Sequence, residues 1–150
     1  MKWIKSHEPK LAENYLELHY SKMNQETQDI ISYLESKNVL MGKSDTEERL
    51  IKPDEIYYCE IVDRKCYAYL KEEVWNLEEG LAELVERYEM HGFVRIGKST
   101  VVNLYKVKKI EADLNMRMKL VLLNDEMIVM SRSYRNEFFK KLQSIRMEGK

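Results

Sequence analysis

The alternation of apolar and polar positions predicts a chain built mainly from short β-strands. Residues 56–62 and 66–70 are rich in aromatic and β-branched side chains. The charged turn at residues 63–65 joins these two runs into a hairpin with basic residues at its tip. Other strand-like runs are separated by polar turns, and they lie at residues 14–20, 39–41, 49–51, 93–96, 100–107, 118–123 and 127–130.

Two internal segments have the spacing of amphipathic helices. Residues 25–36 carry apolar positions at helical intervals, and Asn24 before them is a good N-cap. Residues 77–88 have the same periodicity, and Asn76 with Glu79 three positions later resembles a capping box. These features predict a helix over each segment.

A last helix is predicted near the end of the chain, with Ser131 or Ser133 as its cap. Its apolar stripe consists of Tyr134, Phe138, Leu142 and Ile145. Because most elements are strands, the pattern favours a mainly β, α+β fold: a sandwich with peripheral helices.

The composition fits one folded domain with a short extension. The chain has 150 residues, of which 44% are hydrophobic and 34% charged, so a disordered or low-complexity chain is excluded. The longest apolar run, residues 66–70, is far too short to cross a bilayer, and no signal-peptide pattern follows Met1. We therefore expect a cytoplasmic protein.

Charge is unevenly distributed along the sequence. Residues 1–90 hold 12 Lys and Arg against 20 Asp and Glu, a net charge of −8. Residues 91–150 hold 13 against 6, a net charge of +7. A basic part of this kind suggests a polyanionic partner, although a mixed solvated surface would give the same numbers.

Signatures of catalysis are absent from the sequence. It has no glycine-rich phosphate loop, HExxH, CxxC or GxSxG motif, and its three histidines lack ligand spacing. Cys59 and Cys66 lie on opposite arms of the predicted hairpin, where a redox role is a minor alternative to two reduced core thiols. We expect no enzyme activity, cofactor, metal or small-molecule substrate.

The order of several segments resembles the LytTR family of bacterial DNA-binding domains. The segments are DEIYYCE at 54–60, the amphipathic stretch from Leu77, GFVRIGKSTVVN at 92–103 and MSRSY at 130–134. The resemblance implies an elongated antiparallel β sandwich that reads DNA through inter-strand loops. It covers roughly residues 50–145. We therefore expect the DNA-binding domain to span residues 51–150, with 1–50 as a small α/β extension. The chain is also similar to stand-alone LytTR regulators, which lack a response regulator's receiver domain.

The resemblance assigns DNA contacts to three segments. The hairpin tip carries Arg64 and Lys65, and the turn at residues 97–99 carries Lys98 and Ser99. Free N–H groups at a helix start favour phosphate, which suits Arg132 and Ser133. Arg135 lies along the same helix, where it would contact phosphates non-specifically or simply solvate that face. For Arg95, a phosphate contact and a cross-strand salt bridge remain open alternatives, and Asn103 is expected to tie a turn through its amide.

These residues predict a sequence-specific transcriptional regulator that binds double-stranded DNA in the major groove. We expect a homodimer on adjacent half-sites, with residues 1–50 as the dimerisation or regulatory element. Stand-alone members of the family suggest a membrane protein as a regulatory partner. The alternative is a protein-interaction module on a LytTR-like scaffold without DNA binding.

Overall fold

The computed structural model describes residues 1–36, 38–112, 114–115 and 117–148. The chain forms two compact units, residues 1–35 and residues 36–150. The β-strands of the described residues all belong to the second unit. This unit includes residues 40–50, which we grouped with the extension on sequence grounds. The functional division at residue 50 stays a prediction.

Helix α1 is the regular element of the first unit. It spans Gln25–Ser36, and the Asn24 side chain accepts hydrogen bonds from the Thr27 N–H at 2.8 Å and the Thr27 hydroxyl at 2.9 Å. The predicted N-cap is therefore confirmed. The predicted strand at residues 14–20 is wrong, and Tyr15 and Leu16 are exposed. The alternation of apolar and polar residues is not enough to form a strand, because a strand also needs a neighbour to pair with.

The larger sheet of the second unit has seven strands. They are β1 Leu40–Lys43, β2 Glu48–Ile51, β3 Tyr58–Val62, β4 Lys65–Tyr69, β5 Val74–Leu77, β6 Phe93–Gly97 and β7 Thr100–Asn103. All are paired antiparallel, in the order β2-β1-β5-β4-β3-β7-β6. Helix α2, Leu81–Arg87, packs on one face of this sheet.

A second, three-stranded antiparallel sheet has the order β10-β9-β8. Its strands are β8 Val107–Ala112, β9 Met118–Leu122 and β10 Met127–Met130. A 3₁₀ turn, Arg132–Tyr134, then leads into helix α3, Arg135–Glu148. The predicted apolar stripe of this helix is confirmed by Phe138, Leu142 and Ile145, which pack into one core. No side-chain bond caps the turn at Ser131, whose hydroxyl faces Ser133 at 3.4 Å.

Two hydrophobic cores lie on opposite faces of the larger sheet. One core fills the space beneath α2 and includes Cys59, Leu84 and Tyr88. The other joins the larger sheet to the smaller sheet and α3, with Ile96 and Phe138 fully buried in it. The antiparallel sandwich with peripheral helices confirms the predicted fold class.

The predicted helix over residues 77–88 is wrong in its first turn. Residues Val74–Leu77 form β5 instead, because Trp75 and Leu77 alternate into the core and the strand pairs with β4. Asn76 pairs with Tyr67 in this ladder and caps no helix. Helix α2 begins only after Gly80.

The predicted strand at residues 100–107 is interrupted in the structure. It ends at Asn103, a 3₁₀ turn covers Leu104–Lys106, and the chain enters the other sheet as β8. The buried Asn103 side chain causes this break: its amide donates to the Ile56 carbonyl at 3.0 Å, and its oxygen accepts from the Tyr105 N–H at 3.0 Å. The structural role expected for Asn103 is confirmed.

Glu55 gives the fold a pH dependence that can be measured. Its carboxylate accepts bonds from the Lys52 N–H at 2.9 Å and the Arg49 guanidinium at 2.7 Å. Partial burial raises the pKa of Glu55, but these two bonds outweigh it and lower the pKa below its ordinary value. A lowered folded-state pKa adds stability above the unfolded-state pKa, and this is lost as pH falls through the folded-state pKa.

We expect Glu55→Gln to lower the free energy of unfolding by about 1 kcal/mol at neutral pH, because the exposed side of the ion pair is screened. The loss should shrink as the pH falls below about 4. Urea unfolding of the wild type and the variant, at neutral pH and at a pH below about 4, measures this difference. Glu86→Gln on the exposed face of α2 is the control, and an equal loss at both pH values would contradict the ionic assignment.

Candidate nucleic-acid interface

The tip of the β3–β4 hairpin is a two-residue turn. Val62 pairs with Lys65, and both residues between them have left-handed backbones, with φ 50° for Asp63 and 67° for Arg64. Positive φ at both central positions is the geometry of a type I′ turn, which matches the twist of the strands. Asp63, Arg64 and Lys65 are exposed. The turn thus presents two cations beyond the end of the sheet.

The β6–β7 connection is a second tight turn. Gly97 pairs with Thr100, so Lys98 and Ser99 form the loop, and both side chains are exposed. A register shift between Arg95 and Gly97 bends β6 just before the loop. The half-buried Arg95 donates from Nε to the Gly97 carbonyl at 3.2 Å and from Nη2 to the Lys98 carbonyl.

Arg95 therefore has a role that neither of its sequence-based alternatives describes. The guanidinium donates to two carbonyls of the loop that carries Lys98, and no carboxylate is recorded against it among the residues that the structure describes. Bonds from a charged donor to two carbonyls hold the loop in one conformation. Arg95 thus positions the loop that carries Lys98, and the phosphate contact expected from the sequence stays a prediction.

The third segment, residues 131–133, joins β10 to α3. The Arg132 and Ser133 side chains are exposed, and Arg132 Nη2 donates to the Asn115 carbonyl at 3.2 Å. Arg135, which opens α3, is half-buried. This segment lies against β6, because the Ser131 N–H donates to the Ile96 carbonyl at 2.8 Å.

Backbone hydrogen bonds bring the three segments to one end of the second unit. Strand β3 pairs antiparallel with both β4 and β7, so the hairpin tip and the β6–β7 turn lie at the same end of the sheet's strands. The Ile61 N–H donates to the Ser99 carbonyl at 2.9 Å, which ties the two turns side by side. We call residues 63–65, 97–99 and 131–133 the loop end.

The loop end contains most of the residues that the sequence proposed for DNA contact. The exposed ones are Arg64, Lys65, Lys98, Ser99, Arg132 and Ser133. Against four exposed cations it carries one carboxylate, that of Asp63. An exposed cationic surface on a rigid β scaffold suits a polyanion, because neutralising phosphates releases bound counterions.

Arg95→Gln tests the positioning role. We expect about a tenfold loss of affinity for a specific duplex, because bonds from a charged donor are worth about 1.5–3 kcal/mol and part of the loss is absorbed by loop relaxation. The slope of log affinity against log salt should stay unchanged, because Arg95 neutralises no phosphate in this assignment. A slope shallower by about one unit would instead make Arg95 a phosphate contact.

Other cations of the basic part form local contacts away from the loop end. Lys106 lies 5.2 Å from the centre of the Tyr57 ring, Lys108 pairs with Asp125 at 3.0 Å, and Lys141 pairs with Glu89 at 3.6 Å. Their charges are partly offset within the fold. The net charge of the sequence therefore overstates the cationic surface that is open to a partner.

Cys59 and Cys66 are free thiols buried in the core beneath α2. Their mutual hydrogen bond raises the pKa of Cys59, with burial adding to the effect, and lowers the pKa of Cys66. Within the described ranges, no three His, Cys, Asp or Glu side chains are grouped to hold a metal ion. None of the helices in that part of the chain is long and apolar enough to span a membrane.

Sequence reasoning missed the segment between β8 and β9. Asn115 accepts the Arg132 bond through its backbone, and the exposed Arg117 follows it, so both lie beside the loop end. No motif marks this segment. The available signal was the pair of cations at Arg117 and Lys119, which flank the start of β9.

Comparisons with known proteins agree with this geometry. The LytTr DNA-binding domain family matches residues 47–143. The chain is 27% identical over 136 residues to an uncharacterized HTH-type transcriptional regulator of Staphylococcus aureus strain MSSA476, covering 89% of this chain and 92% of the relative. A similarly named protein of strain NCTC 8325 / PS 47 is 27% identical over 134 residues, covering 87% and 90%.

Among solved structures, the chain resembles the LytTr DNA-binding domain of a protein named as a methyl-accepting/DNA response regulator from Bacillus cereus. The TM-score is 0.65 at 26% identity, over 70% of this chain and 96% of that one. The fold is that of a LytTr DNA-binding domain. The chain belongs to the LytTR family.

Proposed function

We propose that the protein is a sequence-specific transcriptional regulator that reads duplex DNA through the side chains of the loop end. The observation that carries this proposal is that three separate turns lie at one end of the second unit. The Ile61–Ser99 and Ser131–Ile96 backbone hydrogen bonds hold them there. Family membership and the names of the relatives support it.

Different side chains of the loop end supply affinity and specificity. Lysine and arginine can donate to guanine O6 and N7 in the major groove, which suits Lys98 and Arg64 on their tight turns. Ser99 and Ser133 suit phosphate oxygens or backbone. Arg132 and Lys65 add charge, so affinity falls steeply with salt while base contacts and DNA bending select the sequence.

A homodimer on adjacent half-sites is part of the proposal. One loop end presents few base-reading side chains, and two copies on one duplex multiply their effect. The first unit supports a role in protein contact, because it exposes large apolar side chains, with Trp3 80% and Ile4 93% exposed. We assign the first unit to contact between the two copies of the dimer. The family resemblance suggests a membrane-protein regulator as a second partner for the same surface.

The test is selection of bound duplexes from a random pool, followed by footprinting and a salt titration. We expect one enriched motif, protected as two half-sites, and a linear loss of log affinity with log salt. A single protected half-site would remove the dimer from the proposal. Absence of enrichment and of salt dependence would favour the alternative, a protein-interaction module on a LytTR scaffold.

A further inference from the structure

The outer face of the three-stranded sheet carries cations that the three loops do not include. Side chains alternate along β9: Leu120 and Leu122 are buried in the core, so Lys119 faces the other way. In the ladder Lys119 lies opposite Val129 of β10 and Glu111 of β8. Lys119 is half-buried and, together with the buried Val121, lies on the side of the central strand that faces away from this core.

The register places this face beside the loop end. Met118 pairs with Met130, so the start of β9 is level with the point where β10 passes into Ser131. Neighbouring strands are about 4.8 Å apart and residues rise about 3.3 Å, which puts Lys119 within about 10 Å of this connection. The hydrogen bond from Arg132 to the Asn115 carbonyl joins the connection between β8 and β9 to residues 131–133 of the loop end.

Lys119 forms no salt bridge within 4.0 Å among the described residues, although Glu111 lies opposite it in the ladder. The nearest carboxylate across the ladder is that of Glu111, which is paired with Lys109 at 3.0 Å. Arg117, two positions before Lys119 and just ahead of β9, is exposed. A separation of about 10 Å is comparable with the Debye length at 0.1 M salt, so these cations and Arg132 act on one polyanion together.

We propose that Arg117 and Lys119, here called the outer basic strip, bind phosphates of the DNA backbone beside the bases that the loop end reads. This inference rests on the proposed function and extends the DNA footprint from the loops onto the smaller sheet. We assign the strip to the backbone and not to base edges, because in this proposal the base edges beside it are read by the loop end. Its contribution is independent of sequence.

The test uses Lys119→Gln in the full-length protein, with binding measured on a selected duplex and on a scrambled duplex of equal length between about 50 and 200 mM salt. We expect both affinities to fall by the same factor, about three- to tenfold at the lowest salt. The slope of log affinity against log salt should become shallower by about 0.9. Lys119→Arg, which keeps the charge, should restore the wild-type slope.

Lys108→Gln is the matched control, because Lys108 lies on the same sheet but pairs with Asp125 at its far end. It should leave the slope unchanged. An unchanged slope for Lys119→Gln would overturn the strip while the proposed function stands, provided that the wild type binds with a steep slope. A loss on the selected duplex alone would also overturn it, because that result indicates a base contact. Absence of wild-type binding would overturn the proposed function itself.

Discussion

Replacing Lys98 by alanine is expected to reduce affinity for the selected duplex about 10- to 100-fold, with a much smaller loss on random DNA. Lys98 is an exposed cation of the loop end, and its loop is held by two hydrogen bonds from Arg95. A well-placed lysine contact to guanine is worth about 1–3 kcal/mol of discrimination, which corresponds to that range. Competition binding on both duplexes at one salt concentration measures it.

Lys140→Ala is the control for Lys98. Lys140 is an exposed cation of α3, whereas the neighbouring Lys141 is already paired with Glu89 and is a poorer comparison. Any loss with Lys140→Ala should be small and equal on the two duplexes. Equal losses on both duplexes with Lys98→Ala would make Lys98 a phosphate contact and move specificity to the other segments.

The largest effect on stability is expected for Asn103→Ala, with a loss of about 2–4 kcal/mol in the free energy of unfolding. The change leaves the Ile56 carbonyl and the Tyr105 N–H without partners, and each unsatisfied buried group costs about 1–3 kcal/mol. The midpoint of thermal unfolding should fall by about 5–15 °C for a chain of this size. Denaturant and thermal unfolding monitored by circular dichroism measure both quantities.

Asn136→Ala, an exposed position on α3, should change the free energy of unfolding by no more than about 0.5 kcal/mol. Asn103 lies at the end of β7 away from the loop turn, so the folded Asn103→Ala protein should bind DNA with unchanged affinity. A stability loss below about 1 kcal/mol would contradict the role assigned to the buried amide.

Elements with strong local signals could be predicted from the sequence. The hairpin over residues 56–70, the Asn24 cap and the apolar stripe of α3 each depend on residues close together in the chain. Local periodicity failed where a neighbouring strand decided the outcome: residues 74–77 pair with β4 as a strand, and residues 14–20 have no strand to pair with.

The candidate site divides in the same way. The resemblance to the LytTR family, which depends on short segments quoted from the sequence, singled out Lys98, Arg64 and Arg132, and the structure shows that all three are exposed on short connections. The direction of the Arg95 guanidinium could not be predicted, since it depends on the bend in β6 and on the carbonyls of the adjacent loop. Lys119 was also missed, because its position beside Arg132 depends on the pairing of β9 with β10.

The sequence by itself determined the family, the antiparallel β class and most of the residues proposed to touch DNA. Only the tertiary structure decided that three turns, each more than 30 residues from the next along the chain, lie at one end of the second unit. It also decided which cations are exposed there. The physical reason is that strand register, burial and backbone hydrogen bonds join residues distant in sequence. The local pattern of apolar and polar positions does not predict those contacts.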